Sequence, residues 1–173
     1  MQSTFIITFI GDDRPGLVEA LSRVIAEHRG NWLESRLSQL AGKFAGLISV
    51  TLPSESGDEL RAALKNLHEQ GISVHVTPCD AGAATADHEH AATLTVLGPD
   101  RPGVVREIAT ALSERNINVV ELESFVSPAP MSSELLFHAR VEAVLPEPCD
   151  VHELEETLDQ IADEMHMDIT LEA

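Results

Sequence analysis

The sequence predicts an α+β protein built from two copies of one unit, each with the element order strand, helix, strand, strand, helix, strand. Three observations support this prediction. The chain repeats itself at an offset of 87 residues, and within each copy its apolar residues alternate between strand spacing and helix spacing. Its 173 residues also suffice for two small domains, each with a hydrophobic core.

The repeat is clearest where the first strand of each copy meets the first helix. Residues 10–18 read IGDDRPGLV, and residues 97–105 read LGPDRPGVV. Residues 81–90, between the copies, read AGAATADHEH, a small and polar composition without periodicity that is typical of a linker. The predicted organisation is therefore a first domain over residues 1–80, a linker over 81–90 and a second domain over 91–173.

The first three strands and the first helix each have their own signal. Residues 4–10 form a β-branched and aromatic run that predicts a strand. A turn follows, and from Leu17 the apolar residues have the spacing of a helix. Residues 31–40 and 44–52 flank Ala41-Gly42-Lys43, which is a hairpin signal between two strands.

The rest of the first copy and the whole second copy follow the same rules. Ser56 and Glu59 have the spacing of a capping box and predict a second helix, and alternating apolar residues from Ile72 predict a last strand. The second copy has strands near 91–97, 117–126, 134–144 and 167–172, and helices over 102–115 and after Asp150. The order βαββαβ is that of the ferredoxin-like fold, in which both helices cover one face of an antiparallel sheet.

The charge of the chain argues against direct nucleic-acid binding. Eleven basic and 29 acidic side chains give a net charge of −18, which opposes a phosphate backbone. Aromatic residues make up only 3% of the chain, too few for a base-stacking platform. Residues 1–80 hold ten acidic and seven basic side chains, whereas residues 81–173 hold nineteen and four. This acidic second half either favours a basic protein partner or is an ordinary solvated face.

The remaining features predict a cytoplasmic protein that is not an enzyme and has no cofactor, no metal and no contact with a membrane. The sequence has no apolar run long enough to span a bilayer, no leader and none of the common nucleophile or nucleotide-binding motifs. Cys79 and Cys149 are expected to be free thiols, with a disulfide between them as the alternative. His88-Glu89-His90 lacks a third defined metal ligand, so a solvated linker is the favoured interpretation.

The motif shared by both copies has two interpretations. Gly11-Asp12-Asp13-Arg14-Pro15-Gly16 and Gly98-Pro99-Asp100-Arg101-Pro102-Gly103 each join a strand to a helix. In the first interpretation, the Asp carboxylate caps the helix and Pro suits its first turn. In the second, the helix N-terminus offers donors and positive potential to a ligand carboxylate, and glycine lets the ligand approach the backbone. These residues alone leave both interpretations open.

At this motif the chain resembles the ACT domain, a small amino-acid-binding regulatory module of amino-acid metabolism. The matching features are a first strand, D-R-P-G followed by an apolar pair, an amphipathic helix and an Asn that opens the second strand. Both copies match this pattern. A chain made of two such domains is similar to the glycine cleavage system transcriptional repressor family.

The resemblance to serine-binding ACT domains implies a ligand site in each copy. It implies one zwitterion held between Asp13 and Asn31, or between Asp100 and Asn118, although each Asn also suits an ordinary turn. The imidazole of that family is replaced here by glycine. The ligand-binding residues expected from the motif and the resemblance are Gly11, Asp12, Asp13, Gly16, Leu17 and Asn31 in the first copy, and Gly98, Asp100, Gly103, Val104 and Asn118 in the second.

These expectations combine into one functional hypothesis. The protein binds a small amino acid, glycine or serine with glycine favoured, and the resemblance implies that it represses glycine cleavage genes by contacting a LysR-type activator protein. Assembly as a homodimer is left open. The alternatives are a generic ACT regulator of another amino-acid pathway, a dimerisation module without a ligand, and a small enzyme or the regulatory half of one.

Overall fold

The structure, a computed structural model, describes residues 1–79, 91–146 and 150–172. The predicted linker, its His88-Glu89-His90 segment and Cys149 lie outside the described residues. The chain divides into two compact units, Met1–Ala83 and Ala84–Ala173, which we call unit 1 and unit 2.

Unit 1 has the predicted order of elements. These are β1 (Gln2–Asp12), α1 (Leu17–Glu27), β2 (Asn31–Leu40), β3 (Lys43–Pro53), α2 (Gly57–Asn66) and β4 (Ile72–Cys79). Short 3₁₀ turns over Ser54–Ser56 and Leu67–Gln70 flank α2. The strand order in the sheet is β2-β3-β1-β4, and all neighbours are antiparallel.

Unit 2 repeats this architecture. Its elements are β5 (Ala91–Pro99), α3 (Val104–Glu114), β6 (Asn118–Pro128), β7 (Leu135–Val144), α4 (Val151–Met165) and β8 (Asp168–Glu172). The strand order is β6-β7-β5-β8, again antiparallel throughout. The predicted fold class, α+β with two tandem ferredoxin-like units, is therefore confirmed.

The core of each unit lies between the sheet and its helices. On β1, Phe5, Ile7 and Phe9 are buried, and the residues between them lie on the opposite, more open face. On α1, Leu21 and Ile25 are fully buried because they share the stripe of the helix that faces the sheet. Burial of each such side chain contributes about 1.5–3 kcal/mol, so the repeated apolar pattern accounts for the fold of both units.

The two hairpins at the centre of the units differ. In unit 1, Leu40 pairs with Lys43, and the two residues between them, Ala41 and Gly42, have φ of 50° and 79°. This is the left-handed geometry of a two-residue hairpin turn, so the predicted hairpin is confirmed. In unit 2, β6 and β7 are joined by the longer segment 129–134, which the Ala129 N–H closes by donating to the Glu134 carbonyl at 2.9 Å.

The capping box predicted for α2 is wrong. Ser56 precedes the first helical residue, Gly57, but its side chain makes no capping hydrogen bond. The reason is its backbone, with φ −90° and ψ −3°, because Ser56 already belongs to the preceding 3₁₀ turn. A capping side chain needs an extended backbone at this position, which Ser56 lacks.

Candidate ligand-binding loops

The two copies of the motif lie at corresponding edges of the two sheets. We call residues 11–16 loop 1 and residues 98–103 loop 2. Loop 1 includes the last two residues of β1, where Asp12 pairs with Lys43 and Gly11 with Ile72. The β2–β3 hairpin and the start of β4 therefore surround loop 1 at the same edge.

Both loops are anchored and turned by the same backbone features. The Asp13 N–H donates to the Gly42 carbonyl at 3.0 Å, and the Asp100 N–H donates to the Leu135 carbonyl at 2.9 Å. The turn into the helix is made at Gly16 with φ 90° and Gly103 with φ 102°, a left-handed backbone that favours glycine. Glycine therefore holds the N-cap position, immediately before the first residue of each helix.

The interpretation of Asp13 and Asp100 as helix caps is wrong. Each lies three residues before the glycine that starts the helix, and neither α1 nor α3 has a side-chain cap. Helix α4 shows the contrast, because Asp150 accepts hydrogen bonds from the His152 and Glu153 amides at 3.0 and 3.2 Å. The first N–H groups of α1 and α3 thus have no side-chain acceptor from a capping residue, and they carry the positive end of the helix dipole.

The glycines at the start of the motif serve packing. Gly11 and Gly98 are buried, and a Cβ atom on Gly98 would lie 2.6 Å from the Met167 Cγ and 3.0 Å from its Cα. A Cβ on Gly11 would lie 3.1 Å from the Leu17 Cδ1 atom. Leu17 and Val104 are themselves core residues, 3% and 2% exposed, so only their backbone could contact a ligand.

Asn31 and Asn118 do not lie near the loops of their own units. Asn31 pairs with Thr51, which pairs with Thr4, whereas Asp12 in loop 1 lies eight residues further along β1. At the rise of a β-strand this separation is about 26 Å. Asn118 lies at the level of Ala91 in the same way. The prediction that one zwitterion lies between Asp13 and Asn31, or between Asp100 and Asn118, is therefore wrong within either unit.

Loop 1 is a polar, exposed loop with charges of both signs. The Asp12 carboxylate accepts a hydrogen bond from the Lys43 ammonium group, and this bond holds the pKa of Asp12 below its usual value. The Arg14 guanidinium donates to the Gln70 backbone carbonyl, and Asp13 is exposed. Lys43 and Gln70 were not among the predicted site residues because they are distant in sequence and meet the loop only through the sheet.

Loop 2 uses its charges differently. The two terminal nitrogens of Arg101 donate to the two oxygens of Glu107, each at 3.1 Å. The hydrogen bonds of this pair raise the pKa of Arg101 and lower that of Glu107. Glu107 was missed from the sequence, although the repeat held a signal, since the alignment at offset 87 pairs it with Ala20.

A metal site, a reactive cysteine or a membrane-spanning helix would be a further functional feature of the described parts of the chain. Within residues 1–79, 91–146 and 150–172, no three His, Cys, Asp or Glu side chains are grouped closely enough to hold a metal ion. Cys79 is a free, half-buried thiol. Among the described helices, none is long and apolar enough to cross a bilayer.

Comparison with known proteins agrees with this architecture. Residues 3–77 match one ACT domain family model, and residues 92–164 match a second. A UPF0237 protein of Methanococcus maripaludis is 31% identical over 74 residues, which cover 41% of this chain and 82% of that protein.

Solved structures also match nearly the whole chain. A protein of Galdieria sulphuraria has a TM-score of 0.86 at 27% identity and covers 99% of this chain and 98% of its own. A protein whose assignment as a glycine cleavage system transcriptional repressor is itself provisional has a TM-score of 0.74 at 19% identity, over 99% and 97%. The second likeness shows the fold alone.

Proposed function

The chain belongs to the ACT domain family in both of its units, and from this premise we propose that it is an amino-acid-sensing regulator without catalytic activity. The candidate ligand-binding elements in this proposal are the two loops that carry the motif, loop 1 and loop 2. The single observation that carries it is that α1 and α3 each begin at an exposed left-handed glycine without a side-chain cap.

A helix that begins in this way suits the carboxylate of a free amino acid. The first-turn amides point toward the loop and have no acceptor within the helix, and the helix dipole favours negative charge there. Gly16 has open space where a side chain would otherwise stand, with no heavy atom within 4 Å of an added Cβ. A ligand carboxylate can therefore reach the backbone of loop 1.

The rest of the zwitterion has a partner in the same loop. Asp13 is exposed beside the helix start, and its carboxylate can pair with an α-ammonium group. Because the motif is rich in glycine, a ligand with a small side chain or none fits next to its backbone. We therefore propose glycine as the ligand, with serine as the next candidate.

The regulated process is proposed from the same premise. The fold is shared with a protein provisionally assigned to repression of glycine cleavage genes, which supports the same role here. A net charge of −18 disfavours direct contact with DNA, so regulation through contact with a LysR-type activator protein fits better. In this proposal, bound glycine changes how well the regulator binds its protein partner.

Ligand screening tests the proposal. We expect glycine to raise the melting temperature more than the other nineteen common amino acids, since a ligand at 100 times its Kd adds about 2.7 kcal/mol of stability. Titration calorimetry on Asp13→Asn should show binding weakened about 10-fold through loss of the ammonium partner. Asp58→Asn removes an exposed carboxylate from α2 and should bind like the wild type. A protein that no amino acid stabilises would contradict the proposed function.

A further inference from the structure

We propose that Glu107 closes loop 2 to a carboxylate ligand, so that loop 1 is the loop that takes the amino acid. The inference rests on the proposed function, because it assumes that a ligand carboxylate binds where a loop of this type meets its helix. It adds a specificity-determining residue that lies outside the shared motif.

The geometry places the Glu107 carboxylate at the entrance to the helix. Its Oε1 lies 3.5 Å from the position that a Cβ on Gly103 would take, which is the open side of the glycine that starts α3. Both of its oxygens accept from Arg101 at 3.1 Å, in a bidentate pair. Glu107 therefore occupies, with its own carboxylate, the region that a ligand carboxylate would enter.

Loop 1 lacks this obstruction. The alignment of the two copies places Ala20 at the position of Glu107, and its methyl group is buried, with 6% exposure. Nothing lies within 4 Å of an added Cβ on Gly16. Arg14 donates to a neutral acceptor, the Gln70 carbonyl, so its charge is not offset by a carboxylate on the helix.

Two physical effects follow from Glu107. A ligand carboxylate in loop 2 must displace the Glu107 side chain from Arg101, and it meets the repulsion of a second negative charge. Repulsion between two carboxylates about 4 Å apart at a protein surface lowers the affinity for the ligand by about 10-fold or more. Because Glu107 is tethered to the helix, it competes at high effective concentration, whereas free glycine does not.

The test is a glycine titration followed by NMR on protein labelled with ¹⁵N at its ten glycines. The amide signals of Gly16 and Gly103 report loop 1 and loop 2 separately. In the wild type we expect the Gly16 signal to shift and the Gly103 signal to stay unchanged. In Glu107→Gln, which keeps the size of the side chain and removes its charge, we expect both signals to shift, with affinity at loop 2 raised about 10-fold or more.

The control is Glu114→Gln, which removes an exposed carboxylate at the far end of the same helix and should behave like the wild type. Equal shifts of both glycine signals in the wild type would overturn the inference, as would a Gly103 signal that stays silent in Glu107→Gln while Gly16 responds. If Gly103 responds only in Glu107→Gln and Gly16 never responds, the closure of loop 2 stands and the proposed function of loop 1 fails. If neither signal responds in any variant, both fail.

Discussion

Loop 1 and loop 2 share a motif and a backbone, yet they use their arginines in different ways. Each is anchored by one Asp N–H to the neighbouring hairpin and turned by one left-handed glycine. Arg14 nevertheless reaches the Gln70 carbonyl, while Arg101 folds back onto Glu107. The motif thus determines the path of the chain, and residues outside it determine which acceptor the arginine binds. Two loops with the same motif need not bind the same ligand equally well.

The sheets of the two units show a similar contrast at one matched position. Phe9 of β1 pairs with Gly46, and the corresponding Val96 of β5 pairs with Ala139. Ala139 is buried and accommodated in unit 2. In unit 1, a Cβ on Gly46 would lie 2.3 Å from the Arg36 carbonyl oxygen and 2.5 Å from the Leu37 Cδ2 atom.

The largest effect we expect comes from exchanging these two residues. Gly46→Ala forces a side chain against the backbone of β2 and should destabilise unit 1 by about 1–3 kcal/mol. Ala139→Gly in unit 2 should cost only about 0.5–1 kcal/mol, from chain entropy. Trp32 is the only Trp in a chain without Tyr, and it packs against the core of unit 1, so its fluorescence in urea reports the unfolding of that unit.

Ala139→Gly needs a separate measurement, because Trp32 lies in unit 1 and Ala139 in unit 2. Amide hydrogen exchange in β5 and β7 reports the stability of unit 2, where Ala139 lies. The contrast between the sheets would be broken by a Gly46→Ala protein that loses no more stability than Ala139→Gly. In that case β2 shifts to accommodate the added methyl group at little cost in free energy, and the two positions tolerate alanine equally well.

The next effect sharpens the contrast between capped and uncapped helices. Asp150→Ala removes the acceptor of two amides at the start of α4 and should cost unit 2 about 1 kcal/mol. Asp13→Ala and Asp100→Ala remove carboxylates that cap nothing, so each should stay within about 0.5 kcal/mol of the wild type. Urea melts followed by Trp32 fluorescence check Asp13→Ala, and amide hydrogen exchange in unit 2 checks Asp100→Ala and Asp150→Ala. A loss of about 1 kcal/mol in Asp13→Ala would restore the carboxylate as a cap of α1.

The fold was predictable because its signals are local and occur twice. The hairpin at Ala41-Gly42 and the buried stripe of α1 follow from neighbouring residues, and the motif D-R-P-G marks the same junction in both copies. The failed capping box at Ser56 marks the limit of such local reasoning. The spacing of Ser56 and Glu59 is that of a cap, but a 3₁₀ turn in front of α2 changes the backbone that a cap requires.

The candidate site was predictable only in part, because its residues meet through the sheet. Lys43 and Gln70 reach loop 1 from strands and turns that lie 27 residues or more further along the chain. Topology alone separates Asn31 from loop 1. Helix α1 carries the chain back toward the start of β1, so β2 begins at the end of the sheet opposite the loop where β1 ends.

The smallest effect concerns the charge pair that distinguishes loop 2. Arg101→Gln should raise the pKa of Glu107 toward the ordinary glutamate value of about 4.3, because the hydrogen bonds from Arg101 are the main cause of its lowered pKa. A lowered pKa means that the pair stabilises unit 2 above the pKa of unfolded glutamate, and that this contribution disappears as the pH falls through the folded pKa. The contribution is small because both side chains are more than a third exposed and salt screens them. An NMR titration of the side-chain carboxyl carbons measures the pKa of Glu107 with and without Arg101. The matched comparison in loop 1 is Lys43→Gln, which removes the hydrogen bond that lowers the pKa of Asp12. If Glu107 titrates at the same pH with and without Arg101, the Arg101–Glu107 pair does not form in solution. The contrast between the arginines of the two loops then fails.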